Sequence, residues 1–487
     1  MGCCSCTVKT KQILVFGIGG GLLVVGLFIG GFMNMIVDSV LSSAMVLREG
    51  SLTYEKWIKL PVDLYMEFYM FNVTNSEEYA KDQTIKPILK EMGPYVFREY
   101  HGRNILGWND YNGTVTFQNI RTWQFAPELS SGLEDDLIMT INAVPATLNY
   151  LARLMGPVER VFLSSLLTVS GEGMFINKTV RELLFDGYQD PILDVVNKLN
   201  TSISIPFKQF GYFVDRNGSE TYDGVFNMYT GKDNIELLGT VAKWNYNSST
   251  PYYERPCSDV TGTTGELWGP IRNKNDVGIF APDICMTLKL KYSGAAELNG
   301  LEGYSYLLRD NAFNNSDPEA SCTCLQDTDC VPAGLLNVSA CRYNAPVFVS
   351  RPHFLLSNSS LLDAVEGLKP DPEKHKLRLG LEPTTGAPMF VDARLMLNLL
   401  LEPVKHIKMF ENLPRRIYFP VFWFNQKAVL SDELSTLAKL VQIAPDVGMG
   451  VFFGLAGIGA LMLFIGIMLT VRHGWKGSDT QGLIYEN

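Results

Sequence analysis

The run ILVFGIGGGLLVVGLFIGGFMNMIV, residues 13–37, and its counterpart VGMGVFFGLAGIGALMLFIGIMLTV, residues 447–471, contain no Asp, Glu, Lys, Arg or His. A helix needs about 20 mostly apolar residues to cross a hydrocarbon core, so each run can span with some tilt. Together they predict a membrane protein held at both ends. Residues 1–12 and 472–487 are then short tails, and residues 38–446 form one large domain between the two transmembrane helices. The first run exceeds the h-region of a signal peptide, although Ser42-Ser43-Ala44 offers a small-residue cleavage site. Polar residues after the second run argue against a glycolipid anchor.

Flanking charge sets the orientation. Lys9 and Lys11 precede the first run and Arg472, His473 and Lys476 follow the second, whereas Asp38 and Asp446 flank the inner ends. Positive charge stays inside, which places both tails in the cytosol and residues 38–446 in the lumen or outside the cell. Glycosylation sequons agree: Asn72, Asn112, Asn177, Asn200, Asn217, Asn247, Asn314, Asn337 and Asn358 all fall in that segment.

The segment between the runs carries 37 Lys and Arg against 49 Asp and Glu, a formal −12 without a long like-charge block. Nucleic acid is a poor partner for such a surface. Six cysteines, Cys257, Cys285, Cys322, Cys324, Cys330 and Cys341, lie in the same segment. In an oxidising compartment they imply three disulfides, and spacing alone leaves fifteen pairings open. A zinc site on Cys322 and Cys324 is the weaker reading, because a one-residue spacing is atypical of zinc knuckles.

Aromatic and apolar runs at 61–73, 92–97 and 114–117 read as strands. Val391, Ala393, Leu395, Leu397, Leu399 and Leu401 alternate with Asp392, Arg394 and Asn398, which predicts a strand with one dry face. Between 135 and 168 the period becomes helical. Leu148, Leu151, Met155, Val158, Phe162 and Ser165 recur at that spacing, with Pro157 dividing two helices. A last amphipathic helix, 432–443, follows Ser431 as N-cap and runs toward Pro445. The expected fold is therefore a large antiparallel β structure with a helical cap, α+β in class.

Catalytic signatures are lacking. His101, His353, His375, His406 and His473 make no His-Glu-x-x-His pattern, and no Gly-x-Ser-x-Gly elbow occurs. Residues 224–232 resemble a phosphate loop only loosely, with Asp233 where Ser or Thr is needed. The sequence thus points to no enzyme, no cofactor and no metal. Gly17/Gly21, Gly26/Gly30, Gly450/Gly454 and Ala456/Ala460 have the spacing that lets membrane helices approach closely. Neither run carries an ionisable residue, so any transport path belongs to the domain between them.

Several ordered motifs then resemble one family: Met92-Gly93-Pro94-Tyr95, the run 181–191 (RELLFDGYQDP), Tyr222-Asp223-Gly224, Thr230-Gly231-Lys232-Asp233, Pro352-His353-Phe354, Glu382-Pro383-Thr384-Thr385-Gly386 and Phe419-Pro420-Val421-Phe422-Trp423. With the two-span plan they resemble the class B scavenger receptors, the group that includes the fatty-acid translocase and lysosomal integral membrane protein type 2. The resemblance implies a β-barrel-like ectodomain with a helical apex at 135–168 and a lipid tunnel from apex to membrane. It also implies the pairs Cys257–Cys322, Cys285–Cys341 and Cys324–Cys330.

By the same resemblance Leu148, Leu151, Arg153, Met155, Arg160 and Phe162 are candidate apex ligand contacts. Lipoprotein- and fatty-acid-binding relatives carry apex lysines before a Met-Phe pair, yet LTVSGEG at 167–173 precedes Met174-Phe175 here. Arg153, Arg160 and Lys178 are the nearest substitutes, and Glu172 has the opposite sign. The expected partners are lipids (fatty acid, sterol, carotenoid or phospholipid), a lipoprotein or a protein ligand at the apex, and the membrane itself.

Cys3, Cys4 and Cys6 adjoin the first run, where S-palmitoylation is expected. Asp479, Leu483 and Ile484 match an acidic dileucine signal read by clathrin adaptors. The functional expectation is a scavenger receptor that binds lipid or lipoprotein-like ligands and passes lipid to or from the membrane. One alternative is an endosomal or lysosomal protein that escorts a lumenal protein or exports lipid. Another is a phagocytic receptor for dying cells or microbes.

Overall fold

The computed structural model describes residues 8–193, 208–318, 320–324 and 330–473. The chain divides into two compact units, Met1–Ala44 with Thr436–Asn487, and Met45–Ser435. In the first unit, helix α1 (Val8–Met45) packs along the last helix, α6 (Asp432–His473), which continues through Pro445. Both are long and apolar enough to cross a membrane. A Cβ at Gly26 would come within 2.5 Å of the Phe452 carbonyl oxygen and 2.7 Å of Ala456 N, so the helix pair approaches backbone to backbone there. Gly19 and Gly459 make a second close crossing, whereas Gly17, Gly21, Gly450 and Gly454 meet nothing.

The second unit opens with α2 (Leu52–Ile58), capped by Ser51, and carries α3 (Ser76–Lys81), α4 (Ala143–Ala152) and α5 (Pro157–Val169) among its strands. The strands are β1 (Leu64–Val73), β2 (Leu89–Asn109), β3 (Thr114–Phe125), β4 (Leu137–Ile141), β5 (Phe175–Thr179), β6 (Val225–Tyr229), β7 (Val241–Trp244) and β8 (Val277–Ala281). They continue with β9 (Met286–Leu298), β10 (Leu301–Leu308), β11 (Leu335–Asn337), β12 (Val347–Ser350), β13 (Arg378–Leu381), β14 (Pro388–Leu401) and β15 (Ile417–Val429). Among the described residues thirteen strands form one sheet, whose main path runs β7-β6-β3-β2-β1-β15-β14-β13-β10-β9-β8 with antiparallel pairing throughout.

The two ends of that path nearly meet. Val241 N donates to Gly262 O at 2.7 Å, while Thr263 N donates to Gly278 O at 2.9 Å and Phe280 N to Thr263 O at 2.8 Å. The pair Gly262-Thr263 thus bridges β7 to β8 and partners backbone groups on both edges, which an open sheet would leave exposed. Gly262 sits at φ +75°, and a side chain there would collide with the Gly278 carbonyl.

Strand β14 departs from the expected single dry face. Asp392, Arg394 and Asn398 are buried along with its leucines. Arg394 Nη1 donates to the carbonyls of Glu373 and Lys376, and Asn398 Nδ2 donates to Phe348 O and to Ser350 Oγ. Residues 373–376 thus cover Arg394, β12 meets Asn398, and Arg378, Arg394 and Asn425 meet Asp392, so what alternation alone reads as a wet face is buried with its polar groups partnered.

The segment 135–168 is also not helical from its start. Leu137–Ile141 is strand β4, paired with β5. Asn142 ends it: its Oδ1 accepts Val144 N at 3.3 Å and caps α4.

Candidate functional site

The hairpin of α4 and α5 leaves the domain between β4 and β5 and is anchored by a few polar contacts. Asn149 Nδ2 donates to Glu402 O at 2.9 Å and Lys408 N donates to Ser164 Oγ at 3.1 Å. Helix α4 is almost wholly buried, from Ala143 to Ala152. Helix α5 begins with Pro157, and Glu159 Oε2 accepts Gly156 N at 2.8 Å; it buries only Leu163, Ser164 and Leu167.

Much of what α5 and the preceding turn leave outside is apolar, beside exposed Glu159, Ser165 and Thr168. Leu154 is 78% exposed, Val158 83%, Val161 52%, Phe162 57% and Val169 87%. Large apolar side chains scattered singly need no explanation, but Val158, Val161, Phe162 and Val169 at helical spacing on α5, with Leu154 in the turn before it, make a patch.

The cations expected at this site face the other way. Arg153 Nη1 donates to Tyr150 O at 2.8 Å, with its guanidinium 3.3 Å from the Tyr150 ring centroid. Arg160 Nε donates to Ala152 O and Nη2 to Arg153 O, both at 2.9 Å. These are the orphan carbonyls at the end of α4, so the two arginines serve as its C-terminal cap. Lys178 lies 4.8 Å above the Tyr188 ring and 3.8 Å from Glu182 Oε1. Glu172 Oε2 accepts Asn142 Nδ2 at 2.6 Å, and burial followed by the Asp190 charge raises its carboxyl above the ordinary range. Of the six candidate contacts, Phe162 is openly displayed, Leu151 and Met155 are half-buried, and Leu148 is fully buried. Leu148 is therefore a core residue. Helical spacing on either side of Gly156 does not define one face, because the chain turns there.

Beneath the hairpin the apolar core continues into the sheet. Phe68 lies 5.5–6.4 Å from the rings of Phe97, Phe185, Phe213, Phe422 and Phe424. Farther along the same face of β2 the character changes to ionic, which local sequence reading missed. Glu99 is buried with Oε1 2.6 Å from His101 Nε2, and both its oxygens accept from Gln426 Nε2. His101 Nδ1 and the Arg103 guanidinium meet Glu266. Arg121 bridges Glu99 at 3.7 Å to Asp223 at 3.0 Å, and Arg216 joins Asp223 to Asp283. Burial alone would raise the Glu99 carboxyl; His101 and Arg121 outweigh it and hold the group down at about 2. The residues come from 99, 121, 223 and 266, so no local pattern announces the network.

A second, smaller core lies around the disulfides. Cys257 is bonded to Cys322, Cys285 to Cys341 and Cys324 to Cys330. Concavities of 610 Å³, lined by residues such as Tyr292 and Arg309, and 310 Å³, lined by residues such as Trp244 and Arg342, open beside this half and include no residue of α4 or α5. Among the described residues no group of three or more His, Cys, Asp or Glu side chains is placed to hold a metal.

Of the sequons, Asn112, Asn177, Asn217, Asn247 and Asn358 are exposed, while Asn72, Asn314 and Asn337 are half-buried. Asn217 pairs with the Trp123 backbone through both amide atoms, at 3.0 and 3.3 Å. Asn200, Cys3, Cys4, Cys6, Asp479, Leu483 and Ile484 lie outside the described residues.

The CD36 family model matches residues 17–470. Scavenger receptor class B member 1 of Cricetulus griseus is 31% identical over 479 residues, covering 94% of this chain and 91% of its own. Lysosome membrane protein 2 of Rattus norvegicus is 30% identical over 465 residues, 93% of this chain and 94% of its own. Protein peste of Drosophila melanogaster is 32% identical over 408 residues, 82% and 72%.

Proposed function

As the chain belongs to the CD36 family, we propose that it is a two-span receptor whose apex docks on lipid-bearing surfaces and which passes lipid along the apolar interior of its β domain. The observation that carries this reading is the apex itself, where Leu154, Val158 and Phe162 point outward and Arg153 and Arg160 are spent on backbone carbonyls. Burying an apolar side chain drives such docking without any need for charge. Neutral lipids such as sterols, their esters or carotenoids fit this apex better than fatty-acid or phospholipid anions. A lipoprotein surface is the fitting particle.

The Phe68 cluster belongs to the same apolar core as α4 and α5, which supports an apolar path from the apex in this reading. A lipid tail exposed to water costs about 0.8 kcal/mol per CH₂, which such a route lowers. Both tails face the cytosol in this reading, with Cys3, Cys4 and Cys6 available for palmitoylation and Asp479, Leu483 and Ile484 for adaptors. That tail, together with the likeness to lysosome membrane protein 2, favours a second residence in endosomes or lysosomes. The test is flotation of the full chain in nanodiscs with neutral-lipid emulsions. Binding that survives high salt supports an apolar contact, and binding lost in salt refutes it.

A further inference from the structure

The Pro352-His353-Phe354 motif has no part in the apex, yet it builds the most unusual polar cluster on the outer face of the sheet. His353 and His375 stack with centroids 4.4 Å apart and planes 15° apart. His353 Nδ1 accepts Lys369 N at 3.0 Å, and His375 Nδ1 accepts Asp371 N at 3.0 Å. His353 Nε2 lies 2.6 Å from Glu91 Oε2, the same oxygen that accepts Trp423 Nε1 at 2.7 Å. Trp423 in turn stacks flat on Tyr69 at 3.8 Å. Both rings are buried.

These bonds fix the protonation state. A ring nitrogen that accepts a backbone N–H must carry a lone pair, so both Nδ1 atoms are bare and both imidazoles neutral. Adding a proton at either Nδ1 turns an accepted hydrogen bond into two donors face to face. It also sets a cation 4.4 Å from the other ring. We infer that the stacked pair is an acid-released latch: a proton taken up at Nδ1 of His375 breaks its bond to the Asp371 N–H against the His353 ring and frees the backbone of the segment 367–376 from the sheet it covers.

The surroundings contain too little negative charge to hold both protons. Glu91 from β2 is the one carboxylate bonded to the pair; Asp371 lies on the cover itself, and Arg394 from β14 adds positive charge. Tyr69 from β1 stays neutral, its hydroxyl pKa raised by burial and then by Glu67 and Glu91. Burial, then the His353 ring, pushes His375 down to about 4 from an ordinary 6.5. The preceding turn adds strain to the same cover. His353, Phe354 and Leu356 all have positive φ, at 53°, 54° and 59°, and Arg351 holds the turn by donating to the Leu308, Arg309 and Asp310 carbonyls.

Hydrogen exchange on the full chain in nanodiscs tests the latch without any lipid ligand, so its outcome is independent of the lipid reading. After correction for intrinsic exchange, acidification from about pH 7 to about pH 4.5 is expected to lower protection at Lys369 and Asp371 by about tenfold, reversibly, while β14 stays protected. The opening midpoint should lie between 6.5 and about 4. In His353→Gln with His375→Gln, which cannot titrate, protection should no longer depend on pH. Unchanged protection in the natural chain overturns the proposal, as does a loss shared with β14 or retained in the double variant. If that variant does not fold, the midpoint alone decides, and a value below about 4 assigns the opening to carboxylates instead.

Discussion

Replacing Leu154, Val158 and Phe162 together by serine removes three of the five outward apolar side chains without touching the core. The three side chains are 78%, 83% and 57% exposed, so the fold gains little from them, and the loss of stability should stay below about 1 kcal/mol. Full burial of such side chains is worth about 1.5–3 kcal/mol each, and the exposed fraction leaves about 1–2 kcal/mol apiece to be gained on docking. The triple variant should therefore lose about 4 kcal/mol of binding, or about a thousandfold in Kd. Nanodiscs carrying the full chain, titrated with neutral-lipid emulsion and followed by flotation, measure this directly, with thermal unfolding as the control. Arg153→Gln with Arg160→Gln is the counterpart: it should lower Tm by exposing the end of α4 and leave affinity within about twofold. The reasoning fails if the serine variant binds as well as the natural chain, or if the arginine variant loses binding while keeping its Tm.

Three other outcomes follow from the interior. Glu99→Ala leaves Gln426 Nε2 without its acceptors and removes one of the two carboxylates that flank each of His101 and Arg121, which should cost about 2–3 kcal/mol; a chemical denaturation midpoint equal to that of the natural chain contradicts the ion network. Gly262→Ala, placed where φ is +75° and a carbonyl leaves no room, should destabilise the β7 to β8 seam by about 2 kcal/mol or more; rapid exchange at Val241 and Phe280 is the signature, and native protection there refutes the seam. The lowered pKa of His375 means the unfolded chain binds its proton first. Its stabilising contribution is complete above 6.5 and is lost as pH falls toward about 4, by about 2 kcal/mol after allowance for solvent screening; His375→Gln should flatten that part of the stability curve.

The two spans were plain in the sequence because 25 residues without a charge, all but one of them apolar in each run, have no other common use. The β-rich character was equally plain from aromatic and β-branched runs. What local pattern could not supply was the second partner of each element. Alternation along 391–401 read as one wet face because the partners of its polar residues come from distant segments: Glu373 and Lys376 for Arg394, Phe348 and Ser350 for Asn398, and Arg378 and Asn425 for Asp392. Pro157 announced the break between the two helices, but helical spacing through Leu148, Met155 and Phe162 did not tell which of them face the core, because each helix turns its own face to it. Arg153 and Arg160 looked like free cations since nothing in their neighbours' identities shows that α4 ends in unmet carbonyls. Glu99 lies more than a hundred positions from Asp223 and Glu266, and they are joined through Arg121 and His101 only in the folded sheet.

The central claim is that this membrane receptor takes up neutral lipid through an apolar apex. Transfer of a labelled sterol ester from emulsion particles into liposomes bearing the full chain tests it most directly. The account predicts transfer well above that into protein-free liposomes, salt-resistant, and abolished by the Leu154→Ser, Val158→Ser, Phe162→Ser combination. Transfer no faster than into protein-free liposomes, or equally fast with the triple variant, contradicts it.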